Sequence, residues 1–133
     1  MIEELKATKH IETTTANISL INNEIIRLQV KDDANLTCEN LEENYHAYYS
    51  MLDGKPAPFM IIVNDTATIS TEGREEFNQK NMREVRLADA LIIKSPTTML
   101  LVNSQVNFVK PLVPLQAFLN EYEGVAWLKQ FIQ

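Results

Sequence analysis

"FMIIV", residues 59 to 63, sets five apolar side chains in a row with no polar alternation. A strand with one wet face alternates, so an unbroken run of this length reads as a central strand covered on both faces. "ADALII", residues 88 to 93, reads as a second central strand. Upstream, Cys38, Leu41, Tyr45, Tyr48 and Leu52 recur at spacings of three and four, which draws one apolar stripe on a helix from about Cys38 to Asp53. Thr37 suits its N-cap and Gly54 its end, and the "KPAP" that follows disfavours further helix.

Before that helix, "TTTANISLINNEIIRLQV" reads as a β-hairpin within His10 to Val30. Ile18 and Leu20 point to one side, Asn17 and Ser19 to the other, and Ile26, Leu28 and Val30 alternate after the turn. Asn22 and Asn23 suit a tight type I′ turn, because asparagine tolerates positive φ. Downstream, a mostly polar helix is expected over about Thr71 to Arg86, anchored by Phe77, Met82 and Val85. Ser95 and Pro96 open a helix reaching about Phe108, with Met99, Val102 and Val106 as its apolar positions. "VPLQAFL", 113 to 119, is the last strand. Asn120 with Glu123 starts a final helix in which Val125, Leu128 and Ile132 face inward.

The order is therefore β-β-α-β-α-β-α-β-α. It predicts one α/β domain over residues 1 to 133, with an N-terminal hairpin and a mixed, mainly parallel sheet joined by right-handed crossovers. Residues 1 to 9 are expected to be disordered or loosely packed.

Composition agrees with a soluble domain. The 133 residues are 45% hydrophobic and 23% charged, enough to bury a core. Twelve basic against eighteen acidic residues give a net charge of -6, which repels phosphate backbones. Arg74, Lys80, Arg83 and Arg86 form the one basic grouping, but Glu72, Glu75, Glu76 and Glu84 interleave with it. That reads as a solvated helix face, and no nucleic-acid partner is expected. Cys38 is the only cysteine, so an intrachain disulfide or a cysteine-based zinc site is excluded. The opening "MIEELKATKHIE" lacks a signal peptide's apolar run, and no stretch is long enough to span a bilayer. No membrane association is expected, and the cytoplasm is the expected compartment.

The element order resembles the STAS-like fold of bacterial anti-sigma factor antagonists, also called SpoIIAA-like. From Glu72 to Phe131 the chain is similar to an uncharacterised bacterial family grouped with that fold. The resemblance rests on Gly73-Arg74 in a helix, Ala88-Asp89-Ala90 in a strand and Asn107-Phe108 at a helix end. Pro111 with Pro114 and the terminal Ala126-Trp127-Leu128 complete it. The likeness extends over about residues 20 to 133. It implies the fold and no assigned activity.

STAS antagonists carry an Asp-Ser-Ser-Gly turn whose second serine is phosphorylated by a partner kinase. Laid on this chain, that motif falls on Ser70, Thr71, Glu72 and Gly73, so the acceptor position is Glu72. A carboxylate has less charge and fewer acceptor oxygens than a phosphate and is not its equivalent. Ser70 or Thr71 is instead expected to cap the helix, a role worth about 1 kcal/mol.

No catalytic constellation emerges. Asp65 follows a buried strand as in phosphatase loops, but the second carboxylate that chemistry needs is replaced by Ala67. His10 and His46 lie on separate elements without matched carboxylates, a poor metal site. Three glycines leave neither a nucleophile elbow nor a phosphate-cradling loop. Asp32-Asp33, Glu42-Glu43 and Glu75-Glu76 diverge as neighbours do and read as solubilising charge. No enzyme activity, metal or cofactor is expected.

The expected role is a non-catalytic regulatory or scaffolding module that binds a protein partner, by analogy of fold. Its surface is placed at Thr71, Glu72, Arg74 and Arg83. The alternative is a carrier of a small apolar ligand held between helix 38–53 and the sheet. Tyr45, Tyr49 and Met51 mark a candidate groove there, since that helix carries more aromatic surface than one stripe hides. A homodimer is expected to cover remaining apolar area.

Overall fold

One strand, β3 (Ile25–Val30), divides the architecture: its neighbour on one side is antiparallel and on the other parallel. The computed structural model describes residues 5–77, 84–105 and 113–132. Strands β1 (Ala7–Glu12), β2 (Ala16–Ile21) and β3 form an antiparallel meander. Strands β5 (Ala57–Ile62), β7 (Arg86–Ile92) and β8 (Leu115–Phe118) then add in parallel, giving a six-stranded sheet in the order β1-β2-β3-β5-β7-β8. A separate parallel pair joins β4 (Asn35–Leu36) to β6 (Thr68–Ile69). The helices are α1 (Cys38–Met51), α2 (Thr71–Phe77), α3 (Pro96–Gln105) and α4 (Glu121–Leu128), followed by a 3-10 turn, Lys129–Phe131.

The apolar run lies where its pattern demands. β5 sits between β3 and β7, and Phe59 and Met60 are almost wholly buried on opposite faces. Phe59 and Ile61 join Ile18, Leu28, Tyr48 and Met51 beneath α1. Met60 joins Ala88, Ala90, Ile92, Val125 and Leu128 beneath α4. Helices thus cover both faces, which is why β5 needs no polar alternation. On the α4 face, Arg27 grips Glu121 through Nε (2.7 Å) and a second guanidinium nitrogen (3.2 Å), tying β3 to the helix start. At the far edge, the Asn103 side chain exchanges two hydrogen bonds with the Ala117 backbone (3.1 and 2.8 Å). It thereby occupies groups of β8 that an absent strand would have paired.

Local signals are realised at most boundaries. Thr37 Oγ1 accepts from Asn40 N (3.3 Å), Ser95 Oγ from Thr98 N (3.2 Å) and Asn120 Oδ1 from Glu123 N (2.9 Å). Asn22 and Asn23 both take left-handed φ, 53° and 59°, between β2 and β3.

Four features depart from the pattern reading. The sheet has one more strand: β1 starts at Ala7, inside the segment read as loosely packed, and is exposed along its length. A strand held by main-chain bonds on one edge, without a buried face, leaves no alternation to detect. The β4–β6 pair is too short for any period to register. On α1 the buried residues are Leu41, Asn44, Ala47, Tyr48 and Met51, a stripe rotated from the expected one and centred on a polar side chain. Finally, Arg86 does not belong to a solvated helix face with Arg74. It opens β7 and is buried. Lys80, Met82, Arg83, Val106, Phe108 and Pro111 lie outside the described residues, as does the helix end expected near Phe108.

Candidate functional site

Helix α2 is held at its two ends. At its start, Ser70 N donates to Leu36 O (3.2 Å) and Ser70 Oγ accepts from Gly73 N (2.8 Å), so Ser70 is the cap. Gly73 presses on β4 so closely that an added Cβ would stand 2.5 Å from Leu36 O. At its other end, an Arg86 nitrogen donates to Phe77 O (3.1 Å), and the guanidinium lies 3.9 Å from the centre of the Phe77 ring. Of its described residues only Gly73 is buried, so little of the helix is packed down between these attachments.

Beneath it is a cavity of about 420 Å³. The sheet supplies the floor with Leu28, Val30, Ile61, Leu91 and Leu115. Helix α1 supplies Leu41, Asn44 and Tyr48, and α2 supplies Phe77. Leu36, Ile69 and the 63–68 segment close one end. Most of this lining is hydrocarbon, which suits an apolar guest. Among the described lining residues the one charged side chain is Asp89, and none is basic.

Asp89 reaches this face beside Arg86 because of an irregularity in β7. Ala57 pairs with Arg86 and Phe59 with Asp89, so one residue of β5, Pro58, faces two of β7, Leu87 and Ala88. Such a bulge turns an i, i+3 pair, which strict alternation would place on opposite faces, to the same side. Arg86 Nε donates to both carboxylate oxygens (3.1 and 3.2 Å), with both side chains almost fully buried. Burial nevertheless pushes the Asp89 carboxyl up to about 6, against the pull of Arg86. Burial also raises the Tyr48 phenol, with Arg86 opposing, so its hydroxyl stays neutral.

A second polar group pins α1 over the cavity. Thr13 Oγ1 donates to Asn44 Oδ1 (2.5 Å), and Asn44 Nδ2 donates to Thr15 Oγ1 (3.0 Å). Because all three are buried, these bonds fix the helix to the β1–β2 connection.

The residues singled out from sequence divide around this site. Thr71, Glu72 and Arg74 are exposed on the first turn of α2, outside the cavity, and Arg83 lies outside the described residues. Tyr45, partly buried against the core cluster, stacks at 5.5 Å with Tyr49, which is 46% exposed. Met51 is buried in the core cluster. None of these three lines the cavity, which takes its α1 wall from Leu41, Asn44 and Tyr48. Asp89 was legible only as part of an "A-x-A" strand, since a bulge leaves no mark on a hydrophobic pattern.

The remaining chemistry is sparse. Among the described residues no three His, Cys, Asp or Glu side chains cluster as a metal site. His10, His46 and Asp65 are exposed. Desolvation raises the Cys38 thiol, helped by the carboxylates of Glu76, Glu72 and Glu42, which disfavours the thiolate. No helix among the described residues is long and apolar enough to cross a membrane.

A hairpin-led, mainly parallel sheet with helices on both faces defines this as a SpoIIAA-like α/β fold. It is similar to the crystal structure of an uncharacterised protein of the DUF3478 family with a SpoIIAA-like fold, from Shewanella loihica PV-4. The two are 14% identical over 94% of this chain and 99% of that one, with a TM-score of 0.62. Residues 19–132 match the model of a family described as a domain of unknown function, DUF7793, and the chain belongs to that family. No curated protein matches.

Proposed function

We propose that this protein is a non-catalytic binding module whose cavity holds a small, mostly hydrocarbon molecule. The supporting observation is the space of about 420 Å³ between α1, α2 and the sheet, within the size range of small-molecule sites. The space is partly open to solvent, and its hydrocarbon wall favours a guest that covers it over water.

Native mass spectrometry of freshly purified protein tests this, with Nile red fluorescence as a second readout. The expected results are a co-purifying small molecule, or Nile red uptake at one site that Ala67→Phe abolishes while the fold persists. Ala67 packs against the core cluster at the cavity wall, so the added ring enters the space. A protein that carries nothing and takes up no dye refutes the proposal.

A regulatory role through a protein partner is the second reading, favoured by one observation. Helix α2 exposes Thr71, Glu72 and Arg74 on its first turn, while Phe77 at its end forms part of the cavity wall. A partner gripping that turn is placed to sense what the cavity holds. Charge reversal at Glu72 and Arg74 is expected to weaken capture of such a partner in a pull-down. Indifference to both reversals argues against this location.

A further inference from the structure

Resting on the reading of the cavity as a ligand site, the chemistry of its wall selects among apolar ligands. We infer that the site takes a neutral, mostly hydrocarbon molecule bearing a hydrogen-bond donor such as a hydroxyl. The donor is received by Asp89, and acid-headed chains of the same length are turned away.

Three observations carry this. Among the described lining residues Asp89 is the one charged side chain, and no lysine, arginine or histidine accompanies it. A fatty acid carboxylate or a phosphate entering the cavity therefore gives up its hydration beside a carboxylate, with no cation among the described lining residues to pair with it and with Arg86 already paired to Asp89. Next, the hydrogen bonds to Asp89 come from a single donor, Arg86 Nε, shared between its two oxygens. An ionised carboxylate offers about four acceptor sites, so capacity remains for a guest's donor. Finally, Asn44 is held between Thr13 and Thr15, and an Arg86 nitrogen is bound to Phe77 O, so of the buried polar groups nearby Asp89 and the neutral hydroxyl of Tyr48 remain at the wall. Asp89, 3% exposed, thus meets the guest where water does not compete, and there a missing or wrong head group is penalised most.

The test is displacement of bound Nile red by 1-decanol, decyl methyl ether and decanoate at about pH 8, where both carboxylates are ionised. Decanol is expected to bind at least tenfold more tightly than decanoate, and more tightly than the ether, which has no donor. In Asp89→Asn the guanidinium of Arg86 is released to pair with an acid, so the gap between decanol and decanoate should close or reverse. Should that variant fold poorly, the paired change Arg86→Met with Asp89→Leu removes the acceptor, and decanol should lose its advantage over the ether. Equal binding of decanol and decanoate by the unaltered protein overturns the inference while the cavity reading stands. So does equal binding of decanol and the ether, a decanoate gap unchanged in a folded Asp89→Asn, or a decanol–ether gap that survives the paired change. Failure of every probe to bind overturns both.

Discussion

Acidification should stabilise this protein through one side chain, Asp89. Its carboxyl is buried against Arg86 and faces Tyr48 across the core, and burial lifts it to about 6 from an ordinary 3.8. The folded carboxyl therefore holds its proton more tightly than the unfolded one, and folding takes up a proton between about pH 4 and 6. The contribution of this group is greatest below about pH 4 and is lost as pH rises through about 6. The gap corresponds to about 3 kcal/mol, undiminished by solvent screening because the side chain is buried. Urea denaturation at a series of pH values, for the natural protein and for Asp89→Asn, isolates the effect. Asparagine stands in for the protonated carboxyl and does not titrate, so the variant is expected to match the natural protein near pH 4 and to exceed it in stability by up to about 3 kcal/mol near neutrality. The variant's advantage should grow as pH rises from about 4 to about 6.5 and then level off. A difference independent of pH, or a natural protein that gains on the variant over that interval, refutes the reasoning.

Other substitutions examine the supports of the cavity. Ser70→Ala should cost about 1 kcal/mol by thermal or chemical denaturation, whereas Thr71→Ala, one residue into the helix, should change stability by less than about 0.5 kcal/mol. Equal effects would mean that the two hydroxyls share the capping role. Gly73→Ala forces a methyl against the backbone oxygen of Leu36, which cannot swing aside, and should cost about 1–3 kcal/mol. A neutral result would show that α2 moves freely relative to β4. Asn44→Leu strands the Thr13 and Thr15 hydroxyls of their shared partner and should destabilise by about 1–3 kcal/mol. A more stable variant would show that the network serves position at the expense of stability.

The alternating and unbroken apolar runs, the asparagine turn and the caps at Thr37, Ser95 and Asn120 were all determined by the sequence. Each depends on neighbours within a few residues, and a period of two or of three to four records which face a segment buries. The space between the tyrosine-bearing helix and the sheet was foreseeable for the same reason, as a place where apolar surface gathers. Which residues line it was not. Asn44 lies at the centre of the buried face of α1 only because Thr13 and Thr15, some thirty residues earlier, return to meet it. Arg86 reads as one more charge on a polar helix until a bulge in β7 turns it beside Asp89 and under Phe77. β1 is a strand because β2 offers it a main-chain edge, whatever its own side chains prefer. Periodicity reports the environment of a segment averaged along its length. Partners supplied from distant segments, and a single extra residue in one strand, are decided only when the chain closes on itself.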